Sequence, residues 1–476
     1  MKVGILWTAI DKYTNLLITL IISMVLARML SPSEFGIVAT ASVLMAFLTI
    51  MVNFGLGPAI IQRKDLDQYD LDNLFTFSFY LGLVLGALSF ASSWFIADFY
   101  NDELLKPVVQ ILSLGLFLSS INMVPSALMS KNLRFKEMAT RSIAFNAFFG
   151  LLGIISAFFG AGVYALVCPQ ILASFFTFLY NNHFYPVHFT IHFSLGPIKK
   201  IFNYSFYVFI NNLINYFSRN LDKLIIGKVI SADALGYYDK AYRLMQMPLT
   251  YISSIVSPVM QPIMSSLQDN LDEMAKKYTK IVQYIASLAF PIAVILFFAA
   301  EDIIYVLFGA TWMPAVPVFR ILAISIPFSL LSSPNGPIYL SCNATKQMFY
   351  CTIIGTAIIV VSFILAAIYG KTIESFALAW TANEFIGTSL SYYILFVLVM
   401  RQSLWPVLRA LLKPLVFSAA LVLLFVLYKI IIPDSFGHLI NLIGKCGIGG
   451  GCLLYYLKLT NQFDIISFVR TKFLNK

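Results

Sequence analysis

Runs of about twenty predominantly apolar residues recur fourteen times along this 476-residue chain. They lie at roughly 4–28, 36–61, 73–98, 104–128, 140–159, 162–181, 202–228, 235–263, 279–299, 315–340, 347–369, 374–400, 408–429 and 437–457. At about 1.5 Å of rise per residue, such a run crosses the ~30 Å hydrocarbon core of a bilayer as one helix. The composition agrees: 59% of residues are hydrophobic, 11% are charged, and the mean hydropathy is +0.84. A soluble domain carries about a quarter charged residues, and this chain has too little polar surface to cover a core. The expected fold class is therefore all-α and integral to the membrane, with about 14 transmembrane helices. The first run is too long for the apolar core of a signal peptide and has no small-x-small exit, so it is expected to remain as a helix.

The distribution of charge orients the expected spans. With the N-terminus inside, twenty Lys and Arg residues fall in cytoplasmic segments, among them Arg63, Lys131, Arg134, Lys136 and Arg141. Only Arg28, Lys106, Lys228, Lys371 and Lys429 fall in outer segments. This bias places both termini in the cytoplasm and agrees with an even number of spans. The excess of 32 basic over 22 acidic residues is thus spread over short loops, with no contiguous tract for nucleic acid. Cys168, Cys342, Cys351, Cys446 and Cys452 sit in or beside apolar segments without the spacing of a zinc or redox motif, and read as small hydrophobes.

An internal repeat is visible at a period near 200. ARMLSPSEFGIV (27–38) aligns with GKVISADALGYY (227–238), pairing Arg28 with Lys228, Ser31 with Ser231 and Gly36 with Gly236. KPVVQIL (106–112) aligns with VPVFRIL (316–322), and Ala165-Leu166 with Ala377-Leu378, in the same order. The expected organisation is an N-terminal lobe of six helices (1–200), a C-terminal lobe of six (201–400), and two further helices with a cytoplasmic tail (401–476). Each half has an even helix count, so the repeat is parallel, about an axis along the membrane normal.

Polar residues inside the runs are the candidates for function, because a charge at mid-bilayer costs about 2.5–3.5 kcal/mol or more. On the seventh run Asn211, Asn215, Arg219, Asp222 and Lys223 share one helical face. The first run repeats the stripe in register with Asp11, Lys12, Asn15, Thr19 and Ser23. The eighth adds Asp239, Lys240, Arg243 and Gln246, with Asp239 and Arg243 spaced to pair. On the seventh and eighth runs four cations face two acids, so pairing alone leaves positive charge. One reading is a cationic cavity for an anionic headgroup such as a pyrophosphate, since Arg offers a planar donor fork and Lys a point charge. The other is a set of interhelical ion pairs, or side chains snorkelling to the interface, which suits Arg320 and Lys445 better. The cavity reading is preferred for Arg219 and Arg243, and the two stand level for Lys223 and Lys240. Asp222 and Asp239 are read first as partners of Arg219 and Arg243. Asp11, Asp222 and Asp239 can also bind a cation, so an H+ or Na+ gradient is the expected coupling and no cofactor is expected.

Weaker signals point nowhere in particular. His183, His188 and His192 have irregular spacing and read as a headgroup-level loop. The sequon at Asn343 falls inside. Pro248, Pro258 and Pro262, then Pro291, then Pro327, Pro334 and Pro337, predict bent or interrupted helices. No nucleophile–base spacing, metal motif or phosphate-cradling glycine loop is present, and the longest expected outer loop (300–314) holds only Glu301 and Asp302 as ionisable groups.

The longer runs LARMLSPSEFGIVA (26–39), NFGLGPAIIQRKDL (53–66), SRNLDKLIIGK (218–228), ALGYYDKAYRLMQMP (234–248) and FGATWMPAVPVFRIL (308–322) resemble the polysaccharide-transport branch of the multidrug/oligosaccharidyl-lipid/polysaccharide exporter superfamily. They are most similar there to Wzx-type flippases of the colanic-acid and teichuronic-acid kind. The resemblance implies fourteen helices, two lobes and alternating access. It implies a bacterial inner-membrane protein that moves an undecaprenyl-pyrophosphate-linked oligosaccharide to the outer leaflet, for O-antigen, capsule or exopolysaccharide. It also implies membrane lipids, a polysaccharide polymerase and a chain-length regulator as partners. The matching positions for pyrophosphate are Arg219, Asp222, Lys228, Lys240 and Arg243, with Lys223, Arg28 and Lys12 as further cations. Two alternatives stay open. A drug or cation antiporter of the same superfamily would favour an acid-rich cavity, and a membrane-embedded polymerase or ligase would need a catalytic outer loop.

Overall fold

A computed structural model describes residues 2–53, 56–63, 65–190, 194, 196–431 and 437–460. Within those helices the side chains at 2, 3, 5, 197–208, 210, 211, 214, 215, 255, 257–259 and 261 are also left aside. The described residues form helices and no strand. In order they are α1 (Lys2–Met29), α2 (Pro32–Asn53), α3 (Leu56–Gln62), α4 (Gln68–Tyr100), α5 (Leu105–Lys131), α6 (Phe135–Phe158), α7 (Tyr164–Phe184) and α8 (Gly196–Val229). There follow α9 (Ala232–Ser265), α10 (Leu271–Phe308), α11 (Ala315–Ser332), α12 (Asn335–Ser341), α13 (Thr345–Leu365), α14 (Ile373–Tyr393), α15 (Trp405–Ile431) and α16 (His438–Leu459).

Twelve helical segments among the described residues are long and apolar enough to cross a membrane, and they match twelve of the fourteen expected runs. The other two runs fall in α8 and α9. Each is 34 residues long, and they carry the in-span charges that lower their apolarity. The helix ends follow local chemistry. Asp67 caps α4, accepting from the Asp70 amide at 2.7 Å, and Asn101 closes the same helix in the left-handed conformation. Asn270 and Thr372 cap α10 and α14 in the same way. The proline-rich tenth run is interrupted as predicted: α11 stops at Ser332 and α12 restarts at Asn335, on either side of Pro334.

The chain divides into two compact units, Met1–Gly236 and Tyr237–Lys476. The repeat boundary near 200 and this division are different features, since α8 and the first turn of α9 count with the first unit. Within the first unit α4 packs on α5, α5 on α7, and α6 on α7. Within the second the same pairings recur one repeat later, as α10 on α11, α11 on α14, and α13 on α14. The first unit's core joins Leu56, Ile60, Leu74, Phe75, Val124 and Leu128. Small residues let helices approach closely: a Cβ at Gly82 of α4 would meet the Ser120 side chain of α5 at 2.4 Å.

The second unit is tied together by buried polar groups. The Tyr278 hydroxyl donates to Asn335 Oδ1, Asn335 Nδ2 donates to Ser391 Oγ at 2.8 Å, and Tyr339 donates to the Ser391 carbonyl at 3.0 Å. The two helices outside the repeat, α15 and α16, both pack on α10. That helix runs to Phe308, so Glu301 and Asp302 lie in a helix rather than in the expected outer loop. The reason is visible in their partners. Arg320 pairs with Glu301 at 3.2 Å, while Lys445 Nζ and His438 Nδ1 meet the buried Asp302 carboxylate at 2.6 and 2.9 Å. The pairing expected for Arg320 and Lys445 is thus present.

Removing one partner of a buried pair leaves an uncompensated charge, at a cost of about 3 kcal/mol or more. Asp302→Leu is expected to lower the thermal midpoint in detergent by several degrees. The double variant Asp302→Leu with Lys445→Met is expected to recover much of that loss.

Candidate functional site

The side chains singled out by sequence sort into presented and packed groups. In the first unit, α8 brings Asp222 and Lys223 into the interior, at 0% and 8% exposure, while Arg219 one turn earlier is exposed. Asp222 Oδ1 accepts the backbone amide of Lys223 at 2.8 Å. Lys228 lies at the end of α8 and donates to the Phe99 carbonyl near the C-terminus of α4, with its ammonium 4.5 Å from the Phe99 ring. A cation there complements the negative end of a helix. Arg28, its counterpart in the repeat, is exposed at the end of α1, and Lys12 is half-buried near the other end. The side chains of Asn211 and Asn215 lie outside the described residues.

The polar stripe of α1 faces α6. Asn15 Nδ2 donates to Asp11 Oδ1 at 2.7 Å and to Ser142 Oγ at 2.9 Å, and Asn146 Nδ2 donates to Asn15 Oδ1 at 2.8 Å and to Thr19 Oγ1 at 3.1 Å. Asp11, Asn15, Thr19, Ser142 and Asn146 therefore each have a partner inside the unit, as groups at membrane depth require. Beside this seam sits a cation that sequence reasoning counted with the cytoplasmic loops. Arg141 is on α6, donates to Asn181 Oδ1, and stacks 5.8 Å from the Tyr180 ring centre. Asn181 in turn donates to Asn122 Oδ1 at 2.9 Å, joining α5, α6 and α7. The Arg141 Nε is buried without a hydrogen-bond partner. The spacing of Ser142 and Asn146 on one face of α6 was the available signal for the seam.

In the second unit, Asp239 and Arg243 form the pair that their spacing predicts, with Nε to Oδ2 at 2.6 Å. The carboxylate is buried, but the arginine side chain is 63% exposed, so the pair holds a guanidinium at the surface of the unit. Lys240 is different. Only 5% exposed, it lies 5.0 Å from the Phe308 ring centre and 5.6 Å from that of Trp312, and Trp312 is itself fully buried and edge-on to Tyr237. This aromatic box compensates a cation in a water-poor setting. It also ties the start of α9 to the turn after α10. Arg219 and Arg243 are thus exposed, and the lysines near them, Lys223 and Lys240, are packed. An exposed guanidinium offers planar paired donors to phosphate oxygens. Among the described residues, no group of three His, Cys, Asp or Glu side chains is placed to hold a metal ion.

Comparison with known proteins gives these residues their context. The family model described as "Polysaccharide biosynthesis protein" matches residues 25–317, which takes in both arginines. The chain is 26% identical over 430 residues to the teichuronic acid biosynthesis protein TuaB of Bacillus subtilis (strain 168), covering 88% of this chain and 86% of that one. It is 23% identical over 402 residues to the lipopolysaccharide biosynthesis protein WzxC of Escherichia coli (strain K12), covering 84% and 82%. Its fold is similar to that of the lipid II flippase MurJ in an inward closed conformation, with a TM-score of 0.76 and 16% identity over 97% of this chain and 100% of that one. It is also similar to an inward-facing multidrug resistance MATE family transporter of the MOP superfamily, with a TM-score of 0.62 and 14% identity over 86% and 98%. With twelve helical segments long and apolar enough to cross a membrane among the described residues, and a family match over more than half its length, the chain belongs to the polysaccharide biosynthesis protein family.

Proposed function

We propose that this protein is a flippase that moves an undecaprenyl-pyrophosphate-linked oligosaccharide repeat unit from the cytoplasmic to the outer leaflet of a bacterial inner membrane. The product would feed a surface polysaccharide such as O-antigen, capsule or exopolysaccharide. The observation that carries the reading is the pair of presented arginines, Arg219 and Arg243, on two charged helices of a chain whose family makes polysaccharides. The likeness of fold to a flippase and the names of the relatives support it.

In the mechanism this reading implies, Arg219 of the first unit and Arg243 of the second each offer charge-assisted hydrogen bonds to phosphate, and the polyprenyl tail stays in lipid. Alternating access carries the headgroup and glycan across. Lys240 holds Arg243 in place through its aromatic box rather than touching cargo, and Lys228 secures α8 against α4. Asp11, within the α1–α6 seam, is the carboxylate best placed to take up H+ or Na+ and so link a gradient to the cycle. A drug-antiport role would favour presented acids over presented arginines. Both termini face the cytoplasm in this reading, and a polymerase and chain-length regulator would take the product on the far side.

Each lost phosphate contact is worth about 1.5–3 kcal/mol, or roughly ten- to a hundredfold. In proteoliposomes bearing a fluorescent undecaprenyl-pyrophosphate oligosaccharide, wild-type protein is expected to expose the glycan to the opposite leaflet. Arg219→Ala with Arg243→Ala is expected to slow this at least tenfold, and the paired lysine substitutions less. Flipping at the wild-type rate in the folded alanine double variant would remove the arginines from the site. For orientation, a fluorescent reporter after Lys476 is expected to mature and an alkaline phosphatase at the same point to stay inactive. The reverse result would overturn the direction of transport.

A further inference from the structure

One cation inside the first unit has no acid to balance it. Arg141, half-buried in the second turn of α6, donates from Nη1 to Asn181 Oδ1, while its Nε is buried without a partner. Among the described residues no carboxylate lies within ion-pairing distance of it. The basic residues just before it are engaged. Lys131 Nζ donates to the Arg63 carbonyl at 2.6 Å, Arg134 pairs with Glu137 at 3.0 Å, and the Lys136 ammonium lies 5.8 Å from the Trp7 ring centre. Asp11, the carboxylate of the α1–α6 seam, accepts from Asn15 instead. An ionisable group left in this state inside a membrane-crossing segment points to function.

The hydrogen bonds around Arg141 run in one direction. Asn181 is fully buried, its Oδ1 takes the arginine N–H, and its Nδ2 donates to Asn122 Oδ1 at 2.9 Å. Both amide oxygens of the chain are thus used by donors within it. What remains is donor at each end: Nε of Arg141 and the side-chain N–H groups of Asn122. The guanidinium is also held in place, 5.8 Å from the Tyr180 ring centre, and Tyr180 is itself set edge-on to Phe145 at 6.2 Å and packed on Phe184 at 5.1 Å. Spare donors with the acceptors spent suit a ligand that brings only acceptors, and the positive charge selects an anion.

We propose that Arg141 and Asn122, positioned by Asn181, form an oxyanion site within the first unit that takes a phosphate carried on a lipid. The three residues lie on α6, α5 and α7, so the site is complete inside Met1–Gly236. A planar guanidinium fixed by a ring and an amide offers its remaining N–H groups to phosphate oxygens in a set direction. Its use rests on the flippase reading and its orientation. Arg141 is two turns in from the end of α6 next to Lys131 and Arg134, which that reading places at the cytoplasmic face, where a lipid-linked cargo is loaded.

The test is binding of undecaprenyl pyrophosphate, without a glycan, to the full-length protein in phosphatidylcholine nanodiscs. Arg141→Leu is expected to weaken binding about tenfold or more, and Arg141→Lys less, because charge-assisted hydrogen bonds are lost. Asn122→Asp separates binding from packing. It keeps the acceptor that Asn181 uses and puts a carboxylate where the spare donor was, so it is expected to weaken binding about tenfold with the thermal midpoint unchanged or raised. A purely structural Arg141 would instead make binding follow the midpoint. Repeating the titration with phosphatidylglycerol separates the sources. Arg141-dependent binding of undecaprenyl pyrophosphate alone assigns the site to cargo, and the same dependence for both lipids assigns it to lipid phosphate in general. No binding of either lipid by the wild type, or unchanged binding in either folded variant, would overturn the site. The assay reads binding and not transport, so a failure of glycan flipping in proteoliposomes leaves this result to stand by itself.

Discussion

Hydrocarbon offers no hydrogen-bond partner, and that one constraint accounts for most of what this chain does with its polar residues. Backbone groups are satisfied within helices, so the described residues contain no strand. Among the described residues several buried polar side chains have been given neighbours on other helices. Asp302 gathers Lys445 and His438, Asn15 is bracketed by Asp11, Ser142 and Asn146, and Tyr278, Asn335 and Ser391 close on one another. Lys240 takes aromatic faces beside its acidic neighbour. The same constraint makes a cation left exposed at the surface of such a unit informative.

Hydropathy was legible in the sequence because it is local. Transfer free energy accumulates along one run, so the fourteen runs map onto twelve apolar segments and the two long charged helices α8 and α9. The pair Asp239–Arg243 was legible for the same reason, being one helical turn apart. Partnerships between helices were not. Lys445 finds Asp302 across 143 positions, and Asn15 finds Ser142 across 127, and both depend on how each helix is rotated about its axis. Arg141 was counted with the loops because a loop cation and a half-buried cation in the second turn of a helix look alike in sequence. Lys240 was weighed level between cavity and packing, and its aromatic box draws on Phe308 and Trp312, far along the chain.

The candidate site gains definition from this sorting. A stripe of cations on α8 and α9 resolves into two lysines that organise the helices and two arginines that are offered outward. Packing one member of each pair fixes the rotation of its helix, which fixes where the other points. The repeat duplicates the helix pairings within each unit.

The central claim is that this chain carries a lipid-linked glycan across the membrane, and cells lacking it test that most directly. The measurement is the leaflet in which undecaprenyl-pyrophosphate-linked repeat units reside, read by glycan-modifying enzymes added outside spheroplasts. The account predicts that units accumulate shielded on the cytoplasmic side without the chain, and return to the outer face when it is restored. Units that reach the outer face at the normal rate without the chain, in cells with no second flippase, would contradict it.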